Sequence, residues 1–325
     1  MVPTFPLLQL PSNAIKIASE YCTTPELIFL SILSNRAKRL VKSSRRRASH
    51  FLIDLRSGCE AIFHRECVIY FGETDEADCD IESLTPCTLR MTFGSYFGPD
   101  TYFTLPGFGV REWFEHFSFI FDQPFVSVDF SFQKQRVYTL ESVCKLLKGF
   151  LIGGLIVREN PCEVLRQLPV MGSLRLDKSR LEPELPEAEL NFIKKVLIGN
   201  ITRVEIRRAI TLDLNTLLMM NSPRITSWRP SLSDKELNTF LKLWLTGGNP
   251  NLERLSLDYI FNFQRRRLTR TFNTNVILKG IGYQLLNDGE MIPSKPRYHV
   301  RKSDGTLALV LFGNNSFLLK VQSLQ

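Results

Sequence analysis

The sequence predicts an α/β protein with a small three-helix module at its N-terminus. A β-rich region leads from that module into an irregular repeat-like α/β solenoid, which a C-terminal β-hairpin caps. Three patterns predict this. Apolar residues recur at helical spacing up to about residue 47, and at period two from about 50 to 132. From 125 to 257, short apolar runs alternate with helix-length segments. The expected divisions are residues 1–47, 48–132 and 133–325.

In the first helix, which Leu10-Pro11 opens, Ala14, Ile15, Ala18, Tyr21 and Cys22 share one face. A second helix restarts at Thr24-Pro25-Glu26-Leu27. Thr24 suits the N-cap, and Pro25 suits the first helical position, where its missing N–H costs nothing. Leu27, Ile28, Phe29, Leu30, Ile32 and Leu33 wrap nearly the whole circumference, so this helix should be buried on several sides. The third helix, Arg36 to Lys42, is basic and turns Ala37, Leu40 and Val41 inward. A module of about 40 residues is too small to bury a sound core alone. Either a partner protein or the β-rich region that follows must cover the surplus apolar surface.

In the β-rich region Phe51, Ile53 and Leu55 alternate with polar residues, and Ser57-Gly58 supplies a turn. Ala61, Phe63, Val68 and Tyr70 read as a return strand, and Leu89, Met91 and Phe93 as another. Further strands are expected at Phe125–Phe130, Leu155–Val157, Leu174–Leu176, Val204–Ile206, Ile225–Trp228 and Leu252–Leu257. Their centres advance by steps near the 20–29-residue span of leucine-rich repeats. Helices are expected at Leu140–Leu151, Pro186–Ile198, Leu212–Met220 and Asp234–Leu245, the last with a Ser233/Glu236 capping box. Such units need neighbours to cover their open faces and should curve into a leucine-rich-repeat-like solenoid. Because the repeat is irregular, an ordinary α/β domain stays open as an alternative. At the C-terminus, Tyr298–Arg301, the hairpin signal Asp304-Gly305, Thr306–Phe312 and Phe317–Val321 form the closing hairpin.

Composition argues against an enzyme. No P-loop, G-x-G-x-x-G, G-x-S-x-G or H-E-x-x-H occurs, and the four histidines, His50, His64, His116 and His299, are scattered. His64, Glu66 and Cys67 lie close together, but no second ligand cluster accompanies them, so no metal is expected. No cofactor is expected either. The seven cysteines show no C-x-x-C pair, and Met1 to Leu10 does not read as a signal peptide. Reduced thiols in cytosol or nucleus follow as the simplest reading. The longest uncharged apolar stretch, Gly149 to Val157, is too short to span a bilayer. The net charge of +8 concentrates in Arg36, Lys38, Arg39, Lys42 and Arg45-Arg46-Arg47, with a second patch at Arg265-Arg266-Arg267 and Arg270. Neither run is interleaved with aromatic residues, so nucleic acid is not the expected partner.

Leu10-Pro11, Thr24-Pro25-Glu26-Leu27-Ile28, and Leu30-Ser31-Ile32-Leu33-Ser34-Asn35-Arg36 with Leu40-Val41 together resemble the F-box. The opening Phe5-Pro6-Leu7-Leu8-Gln9-Leu10-Pro11 is similar to the expanded nematode branch of that family. Leu217 to Ser222, Leu237 to Trp244 and Asn249 to Leu257 resemble the type 2 F-box-associated domain of the same branch. The resemblance implies a substrate-receptor subunit of a Skp–cullin–F-box ubiquitin ligase. Its F-box would bind an acidic Skp-type adaptor and, through it, a cullin. Its associated domain would bind a target protein, and the ubiquitin chemistry would occur on other subunits. On that carry-over Leu10, Pro11, Ile15, Leu27, Leu30, Leu33, Leu40 and Val41 are adaptor-contact or module-core positions. The basic third helix would steer the acidic adaptor. Ala18 and Ser19 depart from the family's larger apolar residues late in the first helix. Each lost methylene pair there should weaken the interface by order of 1 kcal/mol. A non-ligase interaction scaffold of the solenoid type is the alternative.

Overall fold

The computed structural model describes residues 11–44, 51–55, 59–63, 67–71, 81, 89–93, 100–103, 108–122, 125–130, 138–170, 172–177, 185–207, 210–259, 270–286 and 296–322. The chain divides into two compact units, Met1–Leu155 and Ile156–Gln325.

The first unit begins with helices α1 (Ser12–Tyr21), α2 (Thr24–Ile32) and α3 (Asn35–Ser43). Strands β1 (Phe51–Asp54), β2 (Glu60–Phe63), β3 (Cys67–Tyr70), β4 (Leu89–Phe93) and β5 (Asp100–Phe103) follow. Then come α4 (Val110–Ile120), β6 (Phe125–Phe130), α5 (Leu140–Leu147) and β7 (Leu151–Val157), whose last residues belong to the second unit. The sheet order is β6-β1-β2-β3-β4-β5. β1 runs parallel to β6, with Ile53 opposite Val128, and every other pair in this run is antiparallel. Gly153 in β7 lies so close to β6 that a Cβ there would meet the Phe125 Cβ at 2.9 Å, which leaves no room for a side chain.

Helix α4 was not expected. Its sequence is rich in residues that favour strands, and it sits within a stretch that otherwise alternates. Yet Val110, Trp113, Phe114, Phe117, Ile120 and Phe121 recur at helical spacing, and all are buried. They seat α4 in an aromatic core. The Phe51 ring stacks on Phe63 at 5.3 Å, and Phe117 meets Phe63 edge-on at 5.1 Å. Phe114 meets Phe71 edge-on at 5.4 Å. Such ring pairs contribute about 0.5–1.5 kcal/mol each beyond their burial.

The second unit continues with α6 (Pro161–Gln167), β8 (Ser173–Leu176), α7 (Glu187–Ile198), β9 (Arg203–Ile206), α8 (Leu214–Met219) and β10 (Arg224–Trp228). Next are α9 (Asp234–Leu245), β11 (Arg254–Asp258), α10 (Thr274–Ile277), β12 (Tyr283–Leu286), β13 (Arg297–Arg301), β14 (Leu307–Phe312) and β15 (Ser316–Val321). Strands β8, β9, β10 and β11 are mutually parallel neighbours, each linked to the next by a connection that carries a helix. Helices α6 and α10 were not expected. The Ser233/Glu236 capping box is present: the Ser233 backbone N–H donates to the Glu236 carboxylate at 2.8 Å. The parallel run ends where β15 pairs antiparallel with β11, followed outward by β14, β13 and β12. In the turn between β13 and β14, Gly305 has φ +90°, and the Asp304 carboxylate accepts from the Thr306 N–H at 2.8 Å. Glycine carries that positive φ without the steric cost a Cβ would bring.

Candidate functional site

The three N-terminal helices are fixed by caps. The N-cap of α2 is Thr23, one residue before the expected Thr24. Its hydroxyl accepts from the Glu26 N–H while its own N–H donates to the Glu26 carboxylate at 2.7 Å. The shift follows from reciprocity: only Thr23 has a glutamate three residues on to close the box. Ser34 caps α3 by accepting from the Ala37 N–H at 3.1 Å.

The expected adaptor positions fall into two groups. Ile15, Leu27, Leu30 and Val41 are buried, as are Ile28 and Ala37, so they form the core of the module. Pro11 and Leu33 are exposed, Leu33 at 66%, and Leu40 is half-buried. Leu10 lies outside the described residues. Ile17 and Tyr21 on α1 are also exposed, at 58% and 85%, and sit four residues apart on one face. The large apolar side chains these helices leave in water are thus Ile17, Tyr21 and Leu33, of which only Leu33 is among the expected contacts. Ser19 is buried and donates to the Lys16 carbonyl at 2.7 Å. It therefore lies inside the module in this chain.

The chain itself covers much of α2. The Ser31 hydroxyl donates to the Ile28 carbonyl at 2.7 Å and meets His116 Nε2 on α4 at 2.7 Å, out of water. Which of the two groups donates depends on the imidazole tautomer, since the hydroxyl can both donate and accept. Burial, reinforced by the Lys38 charge, lowers the imidazole pKa to about 4. Lys38 and Lys42 of α3 lie over the Phe119 ring of α4, at 4.9 and 4.2 Å. Helix α2 thus does not await a foreign subunit around its whole circumference: Leu27, Ile28 and Leu30 are sheathed by their own chain. Two lysines of the basic helix are turned to an aromatic ring, while Arg36 and Arg39 remain exposed.

In the second unit, one asparagine precedes each of three successive strands. Asn251 Nδ2 donates to Asn221 Oδ1 at 2.8 Å, and Asn221 Nδ2 donates to Asn200 Oδ1 at 2.7 Å. Each stands three residues before an arginine that opens its strand: Asn200/Arg203, Asn221/Arg224 and Asn251/Arg254. Sequence reading missed this aligned Asn-x-x-Arg spacing, although it was present as a signal. Asn249, at φ +44°, donates through Nδ2 to the Leu217 and Met220 carbonyls at 3.1 and 2.8 Å and so ties off the end of α8. Glu205 on β9 accepts from Arg175 at 2.8 Å and from Arg207 at 2.6 Å, and Arg207 lies 4.5 Å over the Trp228 ring.

Among the described residues no group of acidic, histidine or cysteine side chains could hold a metal ion. His64 and Glu66 lie outside the described residues, while Cys67 is buried in β3. Cys22, Cys59, Cys67, Cys144 and Cys162 are not joined in disulfides. Burial raises the pKa of Cys59 and Cys144, and that of Cys162 to about 11, so these three are poor nucleophiles. Among the described residues no helix is long and apolar enough to cross a membrane. Arg45-Arg46-Arg47 and Arg265-Arg266-Arg267 lie outside the described residues. Arg270 is engaged by Asp234 at 2.8 Å and by the Tyr259 ring at 3.8 Å.

Residues 192–257, from α7 through most of β11, match the protein family described as F-box associated. Over 325 residues, 98% of each chain, the sequence is 25% identical to the F-box associated domain-containing protein sdz-33 of Caenorhabditis elegans. No solved structure matches it. The asparagine-linked strands lie almost wholly inside the matched segment, and the full-length alignment includes the helical module. Over residues 192–257 this chain is accordingly similar to the F-box associated family, and along its whole length to a protein named for that domain.

Proposed function

We propose that the chain is a substrate-receptor subunit of a Skp–cullin–F-box ubiquitin ligase. Its N-terminal helices would bind the adaptor, its second unit would capture a target protein, and it would perform no catalysis and need no cofactor. The carrying observation is the pairing of two features in one chain. A compact helical module leaves Ile17, Tyr21 and Leu33 in water, and a segment similar to the F-box associated family follows it. Large apolar side chains left in water on a small module fit a surface made to be covered. The parallel β–α succession from β8 to β11 supports a repeat-like, solenoid-type target-binding body. A cytoplasmic or nuclear location suits this reading.

One observation favours a second reading, a non-ligase interaction scaffold. Ile15, Leu27, Leu30 and Val41 are consumed in the module's own core, and α4 joins α2 through His116. Fewer apolar groups are then left for an adaptor. Co-expression with a Skp-type adaptor separates the two. Stable co-purification that is lost on Leu33→Asp supports the receptor. An intact, folded chain that ignores the adaptor leaves the scaffold.

A further inference from the structure

In the parallel run of the second unit, alternate residues point to opposite sides of the sheet. Val204 and Ile206, Ile225 and Ser227, and Leu255 and Leu257 are buried on one side. On the other side, strand register places Arg203 beside Arg224, Arg224 beside Arg254, and Arg254 beside Lys320. All four are exposed. Neighbouring strands are about 4.8 Å apart, so these cations form a row roughly 14 Å long. Arg224 has an ion pair with Glu253 at 3.1 Å, but that pair is itself largely in water. Arg203, Arg254 and Lys320 form no ion pair among the described residues.

Four like charges in adjacent register repel one another and weaken the sheet, so folding alone gives no reason to gather them. The Asn200–Asn221–Asn251 chain holds the three strand starts in step and therefore keeps the arginines level. The row beside them already binds a carboxylate. There Arg175 and Arg207 hold Glu205 on the same side of the sheet. Thr226, Ser256 and Leu318 continue that second row with small or aliphatic side chains. The ring of Trp228 is covered by Arg207. Nucleic acid would need open aromatic faces on which bases could stack, and none stands beside the row among the described residues.

We propose that this face is a docking strip for a carboxylate-rich segment of a partner protein, gripped by Arg203, Arg224, Arg254 and Lys320. The strip gives a chemistry to the target, and in that sense it rests on the receptor reading. Its own test does not involve the adaptor.

The test uses the full chain and a fluorescent peptide of alternating Glu and Ser about twelve residues long, enough to cross the strands. Binding is followed by anisotropy. The variant Arg203→Glu/Arg254→Glu/Lys320→Glu should bind roughly tenfold or more weakly. The control Lys195→Glu/Lys235→Glu/Lys279→Glu has the same net charge, reversed at other exposed positions, and should bind as the parent does. Arg203→Gln/Arg254→Gln, a milder change, should fall between parent and triple reversal if the reversed protein folds poorly. Equal loss in the strip and control variants would overturn the proposal. So would tighter binding of a single-stranded oligonucleotide that the strip variant abolishes, because the face would then belong to nucleic acid. A Leu33→Asp chain that loses the adaptor yet keeps the peptide separates failure of one reading from failure of the other.

Discussion

Ser31 and His116 stand 85 residues apart in the chain, yet their side chains meet at 2.7 Å in the interior. That single hydrogen bond joins the N-terminal helices to the aromatic core behind them. It also makes the union sensitive to acid. Burial and Lys38 hold the imidazole pKa near 4, below its usual 6.5. The unfolded chain therefore binds a proton there that the folded chain refuses. The resulting stability is fully present above pH 6.5 and is lost as pH falls toward 4. A depression of this size corresponds to about 3 kcal/mol at the acid end. Urea unfolding at several pH values should show this loss in the parent and a flatter profile between pH 6.5 and 4 in His116→Phe. Ser31→Ala leaves the buried His116 Nε2 without its hydrogen-bond partner and should cost about 1–3 kcal/mol at neutral pH.

Leu30 and Leu33 are three residues apart and have opposite fates. Leu30 is only 8% exposed, so Leu30→Asp would bury an unpaired charge and should unfold the helical module. Leu33→Asp should shift stability by no more than about 0.5 kcal/mol, since the side chain is already in water. Thermal melts alongside adaptor co-purification check both. The Leu33 variant should keep its melting temperature and lose the adaptor, and only that pattern speaks to docking.

Asn249 combines a left-handed backbone with hydrogen bonds to the end of α8. Asn249→Ala loses the bonds and keeps the strain, and should cost about 2–4 kcal/mol. Asn249→Gly also loses the bonds but relaxes the backbone, so its cost should be smaller. If denaturant midpoints rank alanine as the milder change, the strain is not what the structure implies.

Glu205 makes a fourth prediction. Burial would raise its pKa, but the hydrogen bond from Arg207 and the charge of Arg175 outweigh that and hold the carboxyl below its ordinary range. Its contribution is present above the ordinary carboxylate range and is lost as pH falls through the folded value. Glu205→Gln should therefore cost about 1–3 kcal/mol at neutral pH and much less in strong acid. Paired calorimetric scans at the two conditions measure the difference.

What could be read from the sequence follows from how local each signal is. Phe125–Phe130 and Asp234–Leu245 match the structure end to end, because one has a short apolar run between breaks and the other a capping box with a clean helical period. Helix α4 was missed because its aromatic residues favour strands, and tertiary packing against Phe51, Phe63 and Phe71 overrides that preference. The module core, Ile15, Leu27, Leu30 and Val41, was identifiable by spacing. Which of its apolar residues would face water depended on α4, and so on contacts far away in sequence. The Asn-x-x-Arg steps were visible in principle, but their separations of 21 and 30 residues hide the repeat from any fixed period.

The antiparallel seal of β15 on β11 has a consequence for biosynthesis. Until translation has passed Val321, the last parallel strand presents a bare edge of unsatisfied amides and carbonyls, with Arg254 at one end. Such an edge invites pairing with another chain. A ribosome that stalls after β11 but before β15 would release a product prone to clump, and a cell making this protein has reason to keep a chaperone near that stretch of the nascent chain.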